Sequence, residues 1–154
     1  MNRKKKTMSK NLFGENIDVP DYVRPIHIPK GTVLTAGYQG RNIQQFISML
    51  TDCVVTLLVD CRSKPFSRNH QFNRGFLEKS CKNAGMSYEW IGDKLGGIGG
   101  LTEKQWTKSL KVIYDKSKKD TILLMCMEKK YTECHRQKLS EILETVYKVK
   151  VIHL

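Results

Sequence analysis

The chain has 154 residues, is 40 % hydrophobic and carries a formal charge of +12 from 27 Lys and Arg against 15 Asp and Glu. That length suits one domain with its own core, so neither a disulfide nor a metal is required for folding, and the dense apolar blocks exclude a wholly disordered chain. No apolar run approaches the ~20 residues that cross a bilayer, no signal segment is recognisable, and five cysteines are an odd number, so free thiols in a reducing, cytoplasmic setting are expected, without membrane contact.

Residues 1–31 hold no sustained periodicity, and Pro20, Pro25 and Pro29 interrupt anything regular. They read as a basic, partly disordered N-terminal arm, with Arg3, Lys4, Lys5, Lys6 and Lys10 near its start. The arm is either a solubilising leader or a handle for nucleic acid. From Thr32 to Leu154 strand and helix signals alternate. Thr32–Ala36 is a β-branched strand closing on Gly37. Asn42 caps a helix to about Leu50, with Ile43, Phe46, Ile47 and Leu50 on one face. Val54–Val59 is a continuous apolar run of the kind buried on both faces, and it ends at Asp60. Asn73 caps a helix to about Ala84, with Phe76, Leu77 and Cys81 inward and Gly85 as its stop. Met86–Ile91 is a third strand, followed by the glycine-rich run 95–100. Thr102 opens a helix to about Lys116 with a Trp106, Leu110, Ile113 stripe. Thr121–Cys126 is the fourth strand. A helix starting at Tyr131 or Cys134 then runs to Val146, with Leu139, Ile142, Leu143 and Val146 inward, and Val149–Ile152 is the fifth strand.

This order predicts a single three-layer α/β/α domain with a mostly parallel five-stranded sheet. Such sheets bind ligands at the carboxyl ends of their strands. The segments there carry Tyr38, then Asp60, Arg62, Ser67 and Arg68, then Gly96 and Gly97, then Cys126, Glu128, Cys134, His135 and Arg136. Asp60 is a candidate general base or stabiliser of a developing cation, or else an ion-pair partner of Arg62. Arg62, Arg68 and Arg136 offer forked donors to phosphate oxygens, unless each is only a surface charge. His135 and Cys134 fall where a helix begins, which favours anions and lowers the pKa of both. His135 is a candidate acid or contact for a leaving group, or a half-buried histidine that orients a loop. Cys126 and Cys134 are reactive or structural thiols. Their Cys-x7-Cys-His spacing lacks the paired short spacing of common zinc sites, so no metal is expected. Gly97 and Gly99 begin like a dinucleotide fingerprint, but Thr102 stands in the third glycine position and the run follows the wrong strand.

The segments Thr35 to Arg41, Leu58 to Ser63 with Pro65, Ser67 and Arg68, Leu95-Gly96-Gly97, Cys126-Met127-Glu128 and Cys134-His135-Arg136 resemble the domain-of-unknown-function 488 family. The resemblance runs from about Thr32 to Leu143, with Ala36 and Cys61 where larger aliphatic residues are more usual. It implies a compact three-layer α/β fold and specifies no activity.

The residues themselves lead to an expectation of a hydrolytic enzyme acting on nucleic acid, DNA favoured, that removes a modified base by N-glycosidic cleavage without a cofactor. In that expectation Asp60, Glu128 and His135 are catalytic. Tyr38, Arg62, Ser67, Arg68, Gly96, Gly97 and Arg136 bind substrate, and Tyr38 or Phe72 stacks on a flipped base. One alternative is a phosphodiesterase with a divalent ion on Asp60 and Glu128; another is a non-catalytic nucleic-acid-binding module. Oligomeric state is open.

Overall fold

A computed structural model describes residues 8–10, 16–18, 22, 24–25 and 27–154. Two short strands, β1 (Met8–Lys10) and β2 (Asn16–Asp18), pair antiparallel as a separate two-stranded sheet. The sequence gives no periodic signal there. The disorder expected of the arm falls on residues outside those described.

The main sheet holds β3 (Val33–Gly37), β4 (Leu57–Asp60), β5 (Ser87–Trp90), β6 (Ile122–Cys126) and β7 (Val151–His153). Their order is β5-β4-β6-β3-β7, and every neighbouring pair is parallel. The helices are α1 (Ile43–Asp52), α2 (Arg74–Asn83), the short α3 (Gly92–Leu95), α4 (Glu103–Ser117) and α5 (Arg136–Thr145). Capping boxes start two of them: Asn42 with Gln45 at α1 and Thr102 with Gln105 at α4.

Strand alternation sorts the core into two layers. Leu34, Ala36, Leu58, Leu123 and Met125 pack on one face with Phe46 and Leu50 of α1 and Leu77 and Cys81 of α2. Val33, Leu57, Val59, Ile122 and Leu124 pack on the other with Leu110 and Ile113 of α4 and Leu139, Ile142 and Leu143 of α5. Each fully buried aliphatic side chain contributes roughly 1.5–3 kcal/mol. This is the predicted three-layer α/β/α domain.

Three local expectations are corrected. Val54–Val59 is not one strand: Val54 adopts φ +54° and is 67 % exposed, because the end of α1 continues through it. The amide of Val55 returns to the Leu50 carbonyl, and the strand starts only at Leu57. Phe76 and Val146 point outward, since the buried side of α2 runs through Leu77 and Cys81 and α5 ends at Thr145. Asn73 does not cap α2 with its side chain; its Oδ1 accepts from the Ser67 amide instead.

Candidate active site

The strand order brings the loops after β3, β4 and β6 together, and the glycine run after β5 reaches the same end of the sheet. Gly37 is in register with Cys126, and Asp60 with Met125, so the carboxyl ends of β3 and β4 flank that of β6. The helices leaving β3 and β4 pack on one face, and those leaving β5 and β6 on the other. Neighbouring strands therefore send their chains to opposite faces, the arrangement at which open α/β sheets bind ligands. Gly37 permits the approach: a Cβ there would lie 1.8 Å from the Glu128 carbonyl oxygen.

The predicted residues form two groups, because alternate side chains of a strand face opposite sides. Asp60 shares the α1/α2 side with Leu58 and is fully buried. Its Oδ1 accepts from the backbone amide (3.1 Å) and Nε (2.9 Å) of Arg62, and its Oδ2 from Arg62 Nη2 (2.6 Å) and the Tyr88 hydroxyl (2.7 Å). Burial, followed by the Asp60 charge, pushes the Tyr88 hydroxyl up; the bonds and charge of Asp60 outweigh burial at Arg62 and raise its pKa. Arg62 also lies over the Tyr38 ring, with its carbon 5.3 Å from the centroid. Tyr38 stacks on Phe72 at 4.3 Å.

This geometry corrects several expectations. Four donors occupy both oxygens of Asp60, so it anchors Arg62 and Tyr88 rather than facing a substrate. Tyr38 and Phe72 are buried against each other and present no face to a base. The exposed aromatic on the loop after β4 is Phe66, at 72 %. Arg62, Arg68 and Arg136 do not form an exposed fork: Arg62 and Arg136 are buried and Arg68 is exposed. Ser67 is a turn residue whose Oγ accepts from the Asn69 amide.

The second group lies on the α4/α5 side, at the end of β6. The Cys126 thiol donates to Glu128 Oε2 at 3.1 Å and sits 3.9 Å from His135 Nδ1. His135 Nε2 is 3.2 Å from the Cys61 carbonyl. A carbonyl only accepts, so the imidazole proton is on Nε2 and Nδ1 carries a bare lone pair. Burial, more than any charge, holds the His135 pKa below the ordinary histidine value, which keeps the ring neutral. This disfavours the expected role of His135 as an acid.

Arg136 is fully buried. It donates to Thr35 Oγ1 (3.2 Å), to the Glu128 and Lys129 carbonyls, and through Nε to Cys134 Sγ (3.2 Å). The Cys134 thiol is held below the ordinary cysteine value, first by a hydrogen bond from Cys126 and then by Arg136. Cys126 is pushed up by the same bond and by burial. The lowering expected from sequence is present at both residues: at Cys134 the Cys126 bond is the largest cause and the Arg136 amide at the start of α5 contributes, while at His135 the cause is burial. One donor atom each from Cys126, Cys134 and His135 lies within 4.8 Å of the others. Folding thus supplies the donor cluster that Cys-x7-Cys-His spacing does not advertise.

The glycine run closes over this group. A Cβ on Gly97 would lie 2.9 Å from His135 Nδ1, one on Gly96 2.2 Å from Ser63 Oγ, and one on Gly92 1.7 Å from the Arg62 carbonyl. Ser63 Oγ accepts from the Ile98 amide at 2.8 Å, and Trp90 Nε1 donates to the Arg62 carbonyl at 2.8 Å. Sequence reasoning assigned no site role to Gly92, nor to Thr35 and Tyr88 as partners of Arg136 and Asp60. Alternation along β3 and β5 was the available signal, but it has no meaning until strand neighbours are known.

Two surface hollows lie elsewhere. One, lined by Leu57, Ser87, Tyr88, Glu89, Lys116 and Asp120, opens near the amino ends of β4 and β5. The other lies between α1 and α2 beside Ile43, Ile47 and Ala84.

The half-buried histidines make stability depend on pH. His135 and His153 are both lowered mainly by burial, so the folded chain resists protonation where the unfolded chain accepts it. Their contribution is complete above about pH 6.5 and is lost as pH falls from there through the folded values. The urea midpoint is expected to decline as pH falls between about pH 6.5 and 5. The decline should flatten in a His135→Gln/His153→Gln double variant. A midpoint in the parent chain that is constant across that window would mean both rings take up protons as readily in the fold as in the unfolded chain.

Residues 42–105 match the family model described as "Domain of unknown function DUF488". No curated protein and no solved structure matches the chain. The matched segment holds Asp60, Arg62, Ser67, Arg68, Gly96 and Gly97, while Tyr38 and the cluster from Cys126 to Arg136 lie beyond it. No helix among the described residues is long and apolar enough to cross a membrane.

Proposed function

We propose that the chain, whose residues 42–105 match the DUF488 family model, is a hydrolytic enzyme acting on nucleic acid, with removal of a base by N-glycosidic cleavage as its reaction. The carrying observation is Glu128: a half-buried carboxylate at the end of the central strand, beside a neutral imidazole and under a glycine loop. The family description names no activity, so the reading rests on the site and on the charge of +12.

Glu128 takes the proton of a water that adds to the anomeric carbon. The bonding pair of the C–N bond leaves with the base, which draws its proton from solvent. Asp60 acts at one remove by fixing Arg62 and Tyr88. Phe66 supplies the exposed ring for stacking, and surface lysines and Arg68 supply charge toward phosphates. Five free thiols fit a reducing, cytoplasmic setting. The phosphodiesterase alternative loses support because Asp60 has no oxygen left for an ion.

The test uses end-labelled single- and double-stranded DNA with normal and modified bases, with and without alkali. Breaks that appear only after alkali and disappear in Glu128→Gln are the expected result. Direct breaks without alkali would overturn base removal in favour of a nuclease. Salt-sensitive binding with no product on any substrate would leave a binding module.

A further inference from the structure

We infer that Cys126 Sγ, Cys134 Sγ and His135 Nδ1 form a binding site for a single zinc-class divalent cation, with Glu128 beside its remaining position. This goes beyond the proposed function and rests on donor geometry alone; base removal by Glu128 requires no ion.

Four observations carry it. The three donor atoms already lie within 4.8 Å of one another, and Cys126 Sγ is 3.9 Å from His135 Nδ1. Tetrahedral zinc with sulfur at about 2.3 Å and nitrogen at about 2.0 Å places its ligands roughly 3.5–3.8 Å apart, so the cluster needs only a small contraction. Second, the tautomer is the required one. The Cys61 carbonyl holds the Nε2 proton, and Nδ1 is left bare toward the two sulfurs. A carbonyl on the far nitrogen is the usual outer partner of a metal-bound histidine.

Third, Gly97 keeps the space at Nδ1 open. Its backbone is not among the positive-φ glycines, so conformation does not require glycine there. A Cβ would nevertheless stand 2.9 Å from Nδ1. Fourth, Arg136 donates to Cys134 Sγ and to the backbone carbonyls of Glu128 and Lys129, so it fixes the loop that carries the donors. Two sulfurs and one imidazole select a borderline-soft ion such as Zn2+ over Mg2+ or Ca2+. Three protein ligands with a neighbouring carboxylate match the composition of sites that keep one position for water.

The test reconstitutes the full reduced chain with Zn2+ and measures metal per chain after gel filtration. Co2+ is then substituted as a spectroscopic probe of thiolate ligation. One equivalent of zinc is expected, with a sulfur-to-cobalt charge-transfer band. Cys134→Ser and Cys126→Ser should weaken Zn2+ binding by more than about 100-fold, beyond what an outer-shell change causes. Gly97→Ala should weaken it while leaving all three ligands present, and Cys81→Ser, a core thiol, should leave it unchanged. Circular dichroism of each variant shows that the fold persists. Absence of zinc in the reduced parent chain, or equal binding by the parent and both ligand variants, would overturn the site. Alkali-dependent DNA breaks are scored separately, so either idea can fail without the other.

Discussion

Replacing Asp60 with alanine is expected to lower the unfolding free energy by about 3–5 kcal/mol, the cost of leaving a buried charge without its partner. Asp60 is fully buried and Arg62 is 5 % exposed. After the substitution the guanidinium keeps the Tyr38 hydroxyl, at 3.4 Å, as its side-chain hydrogen-bond partner among the described residues, while Tyr88 loses its acceptor. Urea unfolding with an unchanged slope would measure the loss. Asp60→Asn should fall between parent and alanine, since an amide oxygen still accepts but carries no charge. Removing both members, as Asp60→Leu with Arg62→Met, should cost less than the sum of the single losses. A loss from Asp60→Ala below about 1 kcal/mol, the range of exposed pairs, would mean that water reaches the pair.

Arg136→Ala should cost as much or more, about 3–5 kcal/mol, through a different route. Among the described residues no carboxylate hydrogen-bonds to Arg136. Its partners are a hydroxyl, two backbone carbonyls and a sulfur. Truncation removes four bonds to buried or partly buried acceptors at once and leaves a cavity where the largest fully buried side chain stood. Arg136→Lys should recover little, because an ammonium cannot reproduce the planar fork that reaches Thr35 and the loop together. The local readout is the Cys134 thiol, whose acidity depends in part on Arg136. Alkylation of Cys134 in the metal-free Lys variant should need a higher pH than in the parent. An unchanged profile with a strong fall in stability would give Arg136 a packing role only.

The helices and strands were legible because each has a period of its own. Capping boxes at Asn42 and Thr102 and the apolar runs around Leu58 and Leu124 are local signals. The candidate site was legible only as a set of residues at strand ends. Its division was not, because whether Asp60 and Cys126 share a face depends on register between strands separated by sixty residues of chain. The partners that neutralise Asp60, Arg62 and Arg136 come from β3, β5 and the loop after β6, so their charges read as available in sequence and are satisfied in space. Tyr38 and Phe72 were misread for the same reason: an aromatic near a loop is apolar surface until its neighbour is known. The donor cluster escaped because nothing in an eight-residue separation shows that the 3₁₀ turn Tyr131–Glu133 folds Cys134 back toward Cys126.

Strand order also governs when the fold is attainable during synthesis. β6 is the fourth strand of the main sheet to leave the ribosome, yet it lies at the centre, where Ile122 pairs with both Val33 and Leu57. Without it β3 and β4 have no edge in common. In a nascent chain carrying β3, β4 and β5, only β4 and β5 are sheet neighbours, and β3 waits with its edge N–H and C=O groups unpaired. Such delayed, long-range pairing slows folding and exposes strand edges meanwhile. The segment 42–105 holds β4 and β5 but neither β3 nor β6. It is a fragment of the sheet, and a product truncated before Ile122 is expected to expose the unpaired edges of β3 and β4.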